Sequence, residues 1–311
     1  MKIGLYDVDS KGFPNLPLMK ISAYHKAKGD EVEFITFLEH YDIVYVSKVF
    51  GDEYSQMSEF CINADKVIYG GTGFAVEIEN GKEVYNKDKD TALPEEIEHI
   101  YPDYSIYPDL TQDTAFGFLT RGCPRGCKFC IVAEKEGRRS RKVADLSEFW
   151  RGQKRIELLD PNILACKDHL DLLGQLAESK ARVNFNQGLD IRLTNEANIS
   201  LINRIKIKEI HFAWDNPNDD LKPYFERYKA LAKHNICCDV CHRCSCGLRQ
   251  EWNSTRRAWI NLNNIYHVVI IGDKLDVIET YDANLLTKAD SVVDDSILNL
   301  LAHAECRIYA D

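Results

Sequence analysis

The stretch TAFGFLTRGCPRGCKFC, residues 114–130, decides how the rest of the chain is read. It begins as a short apolar strand and runs into a loop carrying Cys123, Cys127 and Cys130 in the spacing C-x-x-x-C-x-x-C. Gly122 and Gly126 precede the first two cysteines and let the backbone fold closely around a ligand. A closed structural zinc site takes four ligands, usually as two separated pairs. Three thiolates on one loop suit an iron-sulfur cluster instead, with three irons of a [4Fe-4S] unit tied to protein and the fourth left open. A zinc knuckle completed by a distant Cys or His is the alternative.

Downstream of the loop, RIELLD, RVNFNQ, KEIHFAWD and NICCDV read as further strands. The segments between them are long enough for helices, among them CKDHLDLLGQLAESK and YFERYKALAKH. Repeated βα units with a functional loop after the first strand predict a partial (β/α)-barrel over residues 113–236, with its site at the C-terminal strand ends. Upstream, KIGLYDV, EVEFITF, YDIVYVSKV and KVIYGGTGF read as strands, and Pro14 to Lys28 as a helix closed by Gly29. That alternation predicts a Rossmann-like, doubly wound parallel sheet over residues 1–78. The fold class expected is therefore α/β. Residues 79–112, rich in proline and tyrosine, read as a linker or a wrapping arm. In 237–311 the βα rhythm breaks, no fold is assigned, and YHVVIIGDKLDVIETYD suggests a hairpin followed by a helix.

The cysteine loop resembles the signature of the radical S-adenosylmethionine superfamily, including the aromatic Phe129 before the last cysteine. The resemblance implies that Cys123, Cys127 and Cys130 hold a [4Fe-4S] cluster and that S-adenosyl-L-methionine chelates its open iron. One-electron reduction then releases methionine and a 5'-deoxyadenosyl radical, which abstracts hydrogen from substrate. It further implies a one-electron reductase of flavodoxin or ferredoxin type as partner, and Phe129 packed near the cofactor's adenine. LLDPNIL and NQGLDIRL are similar to strand-end segments of members with an N-terminal cobalamin-binding-like domain, which brings in Asp160, Asn162, Gln187, Asp190 and Arg192. HFAWD places Asp215 where that group more often has glutamate. These are expected cofactor-binding positions, and an Asp or Asn capping the next helix is the competing role.

Domains of the cobalamin type carry D-x-H-x-x-G after the first strand. Here Asp7, Asp9 and Gly12 give D-x-D-x-x-G, so histidine-ligated cobalamin is unsupported and cobalamin bound without that ligand stays open. Methylthiolation of transfer RNA is disfavoured, because the first 120 residues contain only Cys61 for a second cluster. Cys238, Cys241, Cys244 and Cys246 are candidates for a second metal, with His242 competing and Cys237 read as an ordinary strand residue. Eleven cysteines without an apolar signal core point to metal or redox chemistry in the cytoplasm rather than to disulfides. A net charge of -10 argues against general affinity for nucleic acid, and no apolar run is long enough for a membrane span. Against that background Lys135, Arg138, Arg139, Arg141 and Lys142 form a basic group beside the loop, suited to an anionic partner or to a solvated face. Trp252, Arg256, Arg257 and Trp259 interleave aromatics and arginines as base-stacking surfaces do. The second class of function is thus a zinc-binding nucleic-acid or regulatory module.

Overall fold

The computed structural model describes residues 1–10, 12–36, 38–51, 55, 57, 61–79, 82–127, 130–208, 210–213 and 219–233. It adds the backbone of residues 236–240, 256–260, 265–271 and 274–280. The chain is a mixed α/β protein built on parallel sheets. Its first unit contains β1 (Lys2–Asp7), α1 (Leu16–Ala27), β2 (Glu31–Phe34), β3 (Tyr41–Ser47) and β4 (Ala64–Gly70). The strands lie in the order β2-β1-β3-β4 with every neighbouring pair parallel. The order reverses between β1 and β3, as expected of a Rossmann-like sheet.

Helix α1 starts at Leu16 rather than Pro14, because the Asn15 side chain caps it by accepting from the Leu18 amide at 3.2 Å. Leu18 and Ile21 then pack over Ile3 and Leu5 of β1. The opposite face of the sheet buries Tyr41, Val44 and Val46.

A short α2 (Thr72–Ala75) leads into the antiparallel pair β5 (Val76–Glu79) and β6 (Lys82–Tyr85). The stretch from there to residue 112, which includes α3 (Glu95–Glu98) and α4 (Pro108–Thr111), wraps along α1. Asp103 accepts from Ser22 at 2.7 Å and from Lys26 at 2.6 Å, and Glu98 pairs with Lys20 at 2.9 Å. Tyr104 donates to the Phe149 carbonyl at 2.6 Å and receives the Phe116 amide at 3.1 Å. The arm is therefore bonded to both halves of the chain.

The second unit opens with β7 (Thr114–Gly117), followed by β8 (Thr120–Arg121), α5 (Val132–Lys135), β9 (Arg141–Lys142) and β10 (Arg155–Leu158). Next come α6 (His169–Ser179), β11 (Arg182–Phe185), α7 (Glu196–Ile202) and β12 (Lys206–Ile207). Strands β7, β10, β11 and β12 form a sheet in sequential order, all parallel. Alternate residues Ala115, Ile156, Leu158, Val183 and Phe185 face the core with Leu172, Leu173 and Leu176 of α6. Helix α6 has no side-chain cap bond, which forgoes about 1 kcal/mol. Three fully buried leucines at roughly 2 kcal/mol each outweigh that loss, so packing holds the helix.

The fourth strand of the series is split. After β12, the chain enters β13 (Ile210–Ala213), which belongs to a separate sheet with β14 (Ile236–Val240), β15 (Arg256–Ile260), β16 (Ile265–Ile271) and β17 (Lys274–Thr280). Helix α8 (Lys222–Leu231) separates β13 from β14, and these two strands are parallel. From β14 onward every pairing is antiparallel. A parallel bridge between Leu189 and Phe212 links the two sheets. Among the described residues the parallel strands are thus divided between two sheets, and no closed barrel is seen. No described helix is long and apolar enough to cross a membrane.

Candidate functional site

The cysteine loop leaves the sheet at the C-terminal end of β7. Its stem is a two-residue antiparallel ladder, Thr120 opposite Lys142 and Arg121 opposite Arg141. Glu136 fastens the stem by accepting from Arg121 Nη1 at 2.7 Å and from the Gly122 amide at 2.9 Å. The Cys123 amide donates to the Gly137 carbonyl at 3.1 Å, and that of Cys130 to the Cys127 carbonyl at 3.0 Å. Cys123, Cys127 and Cys130 are all half-buried.

Gly122 holds φ +87°, and a Cβ there would collide with the Arg139 carbonyl. Gly137 has a similar φ of +94° with nothing near a would-be side chain. Gly122→Ala is therefore expected to cost about 1–3 kcal/mol more than Gly137→Ala, which bears only the conformational penalty. Thermal melts of the two variants check this; equal losses would show that the stem yields.

Two strand-end residues after β10 support the loop from below. Asp160 is buried and accepts from the Leu119 amide at 3.0 Å, the Thr120 amide at 2.5 Å and the Thr120 hydroxyl at 2.6 Å. Burial pushes its carboxyl up to about 6, against the opposing pull of these hydrogen bonds. Asn162 is also buried, and its Nδ2 donates to Cys123 Sγ at 3.6 Å. Its Oδ1 has no hydrogen-bond partner among the described residues. Its main-chain carbonyl receives the Ser140 hydroxyl at 2.9 Å.

The loop after β11 brings Asp190 and Arg192 together. Asp190 accepts from the Arg192 amide at 3.2 Å and from its Nε at 2.7 Å, and Arg125 of the cysteine loop stands 3.8 Å away. Arg192 Nη1 reaches Asp219 at 2.9 Å. Its guanidinium is thus held between two carboxylates. Gln187 is exposed in the turn before them. Asp160, Asn162, Asp190 and Arg192 all follow the C-terminal ends of β10 and β11, the same end of the sheet from which the cysteine loop leaves β7.

Phe129 and Asp215 lie outside the described residues, as do Cys241, Cys244, Cys246, His242 and Trp252. Cys237 and Cys238 are in β14, opposite Trp259 and Ala258 of β15, which also contains Arg256 and Arg257. Among the described residues, no group of three or more His, Cys, Asp or Glu gathers closely enough to hold a metal ion. A closed zinc cage of the kind the second functional class requires is therefore not found there. A four-iron cluster presents its irons at separate corners, so its ligands need not converge on one point. The donor set, three half-buried thiols on one loop, fits such a group.

The basic group is divided by its contacts. Arg138, Arg139 and Arg141 are exposed, Arg141 donating to the Glu136 carbonyl at 2.7 Å, whereas Lys142 pairs with Asp145 at 2.6 Å. Lys135 reaches across to the Thr72 hydroxyl in the glycine-rich turn of the first unit. Burial lowers its pKa. At the other sheet, Asp7 receives the Tyr107 hydroxyl from the arm. Asp9 accepts from the amides of Val49 at 2.9 Å and Phe50 at 2.8 Å. The residue in the histidine's place in the D-x-H-x-x-G pattern is thus bonded across to the segment following β3.

Sequence reading missed Thr120, Glu136, Ser140 and Asp219, whose roles depend on partners distant in the chain. Arg125 sits inside the motif and carried a readable signal, a cation between two cysteines.

No family model matches the sequence, and no curated protein matches it. Among solved structures, the chain is similar to that of a radical S-adenosylmethionine methyltransferase, TsrM, from Kitasatospora setae, determined with cobalamin and a [4Fe-4S] cluster bound. The likeness has a TM-score of 0.49 at 10% identity and covers 76% of this chain and 68% of the other.

Proposed function

We propose that the chain is a radical S-adenosylmethionine enzyme in which Cys123, Cys127 and Cys130 hold a [4Fe-4S] cluster. The observation that carries this reading is the three-thiol loop at the end of a parallel strand, with the buried Asn162 amide against Cys123 and its carbonyl oxygen unpartnered among the described residues. When bound, the cluster and S-adenosylmethionine supply one-electron reductive cleavage to methionine and a 5'-deoxyadenosyl radical that takes hydrogen from substrate.

The protein's own residues supply position. Asp160 fixes the backbone where the loop begins, and Glu136 closes its stem. Asn162 Oδ1 offers an acceptor to the cofactor's amino group, which would satisfy a buried polar atom. Asp190, oriented by Arg192, steadies the loop through Arg125. In this reading residues 1–78 form the Rossmann-like domain and 113–236 a partial barrel. A flavodoxin- or ferredoxin-type protein delivers the electron.

Anaerobic reconstitution with iron and sulfide tests the proposal. The expected result is a broad absorption near ~400 nm and formation of 5'-deoxyadenosine on reduction with S-adenosylmethionine. Zinc uptake without iron, or iron uptake without cleavage, overturns it. S-adenosylhomocysteine beside 5'-deoxyadenosine would extend the reading to methyl transfer and to cobalamin.

A further inference from the structure

We propose that Asn162 is a positioning residue for redox chemistry: its side-chain N–H···S hydrogen bond to Cys123 raises the potential at which the cluster accepts an electron. The inference rests on the cluster reading above and deepens it. Asn162 is 4% exposed, and its Nδ2 lies 3.6 Å from Cys123 Sγ. A thiolate only accepts hydrogen bonds, so once Cys123 is deprotonated this orientation of the amide is favourable and the flipped one is repulsive. Reduction adds negative charge that is shared by the cysteine sulfurs. A donor aimed at one of them stabilises the reduced state more than the oxidised state.

The placement is independent of the side chain's own bond. The backbone is fixed by the Ser140 hydroxyl on the Asn162 carbonyl at 2.9 Å. Packing alone does not explain an amide here, because its buried Oδ1 has no partner among the described residues. An aliphatic side chain of the same shape would fill the space without that cost. The two ends of the amide thus act separately, the oxygen toward the cofactor and the nitrogen toward sulfur.

The test compares reconstituted wild type, Asn162→Ala and Asn162→Leu by a redox titration followed by electron paramagnetic resonance. Both variants are expected to bind iron at wild-type level and to be reduced only at a more negative potential. Asn162→Leu is expected also to melt no lower than wild type in the metal-free state, which separates redox tuning from a structural role. An unchanged potential in both variants overturns the inference. So does loss of the cluster from both with an unchanged melting temperature, which would make Asn162 an assembly residue. Failure of the wild type itself to bind a cluster would instead overturn the underlying functional reading.

Discussion

Cys127→Ala is expected to give a folded, colourless protein that no longer cleaves S-adenosylmethionine. Cys127 lies within the loop, whereas the loop's stem is held by Glu136, by the Thr120 and Arg121 ladder, and by Asp160. Truncating a half-buried thiol removes little apolar area, so the expected loss of stability is below about 1 kcal/mol. The chemical loss is of another order. With two thiolates left, the cluster is not retained, and 5'-deoxyadenosine formation falls to background. Iron and sulfide analysis, the visible spectrum and product assay read this directly. Cys61→Ala, at an exposed position in the first unit, should keep both iron and cleavage. Cys166→Ala, at a residue 1% exposed, should lower the melting temperature while keeping iron. Wild-type iron content in Cys127→Ala would remove the residue from the ligand set.

The parts of this site that are visible in sequence are those determined locally. The spacing of Cys123, Cys127 and Cys130 lies within one loop, and alternation in residues 2–8 and 41–49 was enough to indicate the first parallel sheet. The split of the fourth strand was not legible. KIKEIHFA is continuously strand-like, yet Lys206–Ile207 pairs with β11 while Ile210–Ala213 pairs with β14, a division made by tertiary packing. The roles of the strand-end residues were equally hidden. Asp160 and Asp190 looked alike as acidic residues after strands, but one is bonded to backbone 40 residues earlier and the other to a neighbouring arginine. Both are buried, so only their hydrogen-bond partners distinguish them. The arm shows the same limit: its prolines and tyrosines announced irregular structure, whereas its hydrogen bonds to α1 and to Phe149 required the fold.

Asp160→Ala is expected to destabilise the protein, and by more at pH 5 than at pH 8. Two effects oppose each other. Removing the carboxylate leaves the Leu119 amide, the Thr120 amide and the Thr120 hydroxyl without their acceptor, at roughly 1–3 kcal/mol each. It also removes the cost of keeping an ionised carboxylate buried. What remains of that cost after the hydrogen bonds is seen in the shift of the carboxyl from 3.8 to about 6. Two units at about 1.36 kcal/mol each amount to about 3 kcal/mol, a net figure in which burial has already been offset in part by the three hydrogen bonds. The sign of the pH dependence is opposite to that of an ordinary paired carboxylate. Between pH 3.8 and about 6 the native protein holds a proton on Asp160 that the unfolded chain has released. The stabilising contribution is full below this window and is lost as pH rises through it. Asp145, held below its usual range by Lys142 and Gln175, works in the reverse direction at lower pH. Subtraction of profiles isolates Asp160: denaturant unfolding of wild type and Asp160→Asn from pH 4 to 8 should show a stability difference that changes by about 3 kcal/mol across the window. Parallel profiles would mean that Asp160 is ionised throughout, with its three hydrogen bonds outweighing burial.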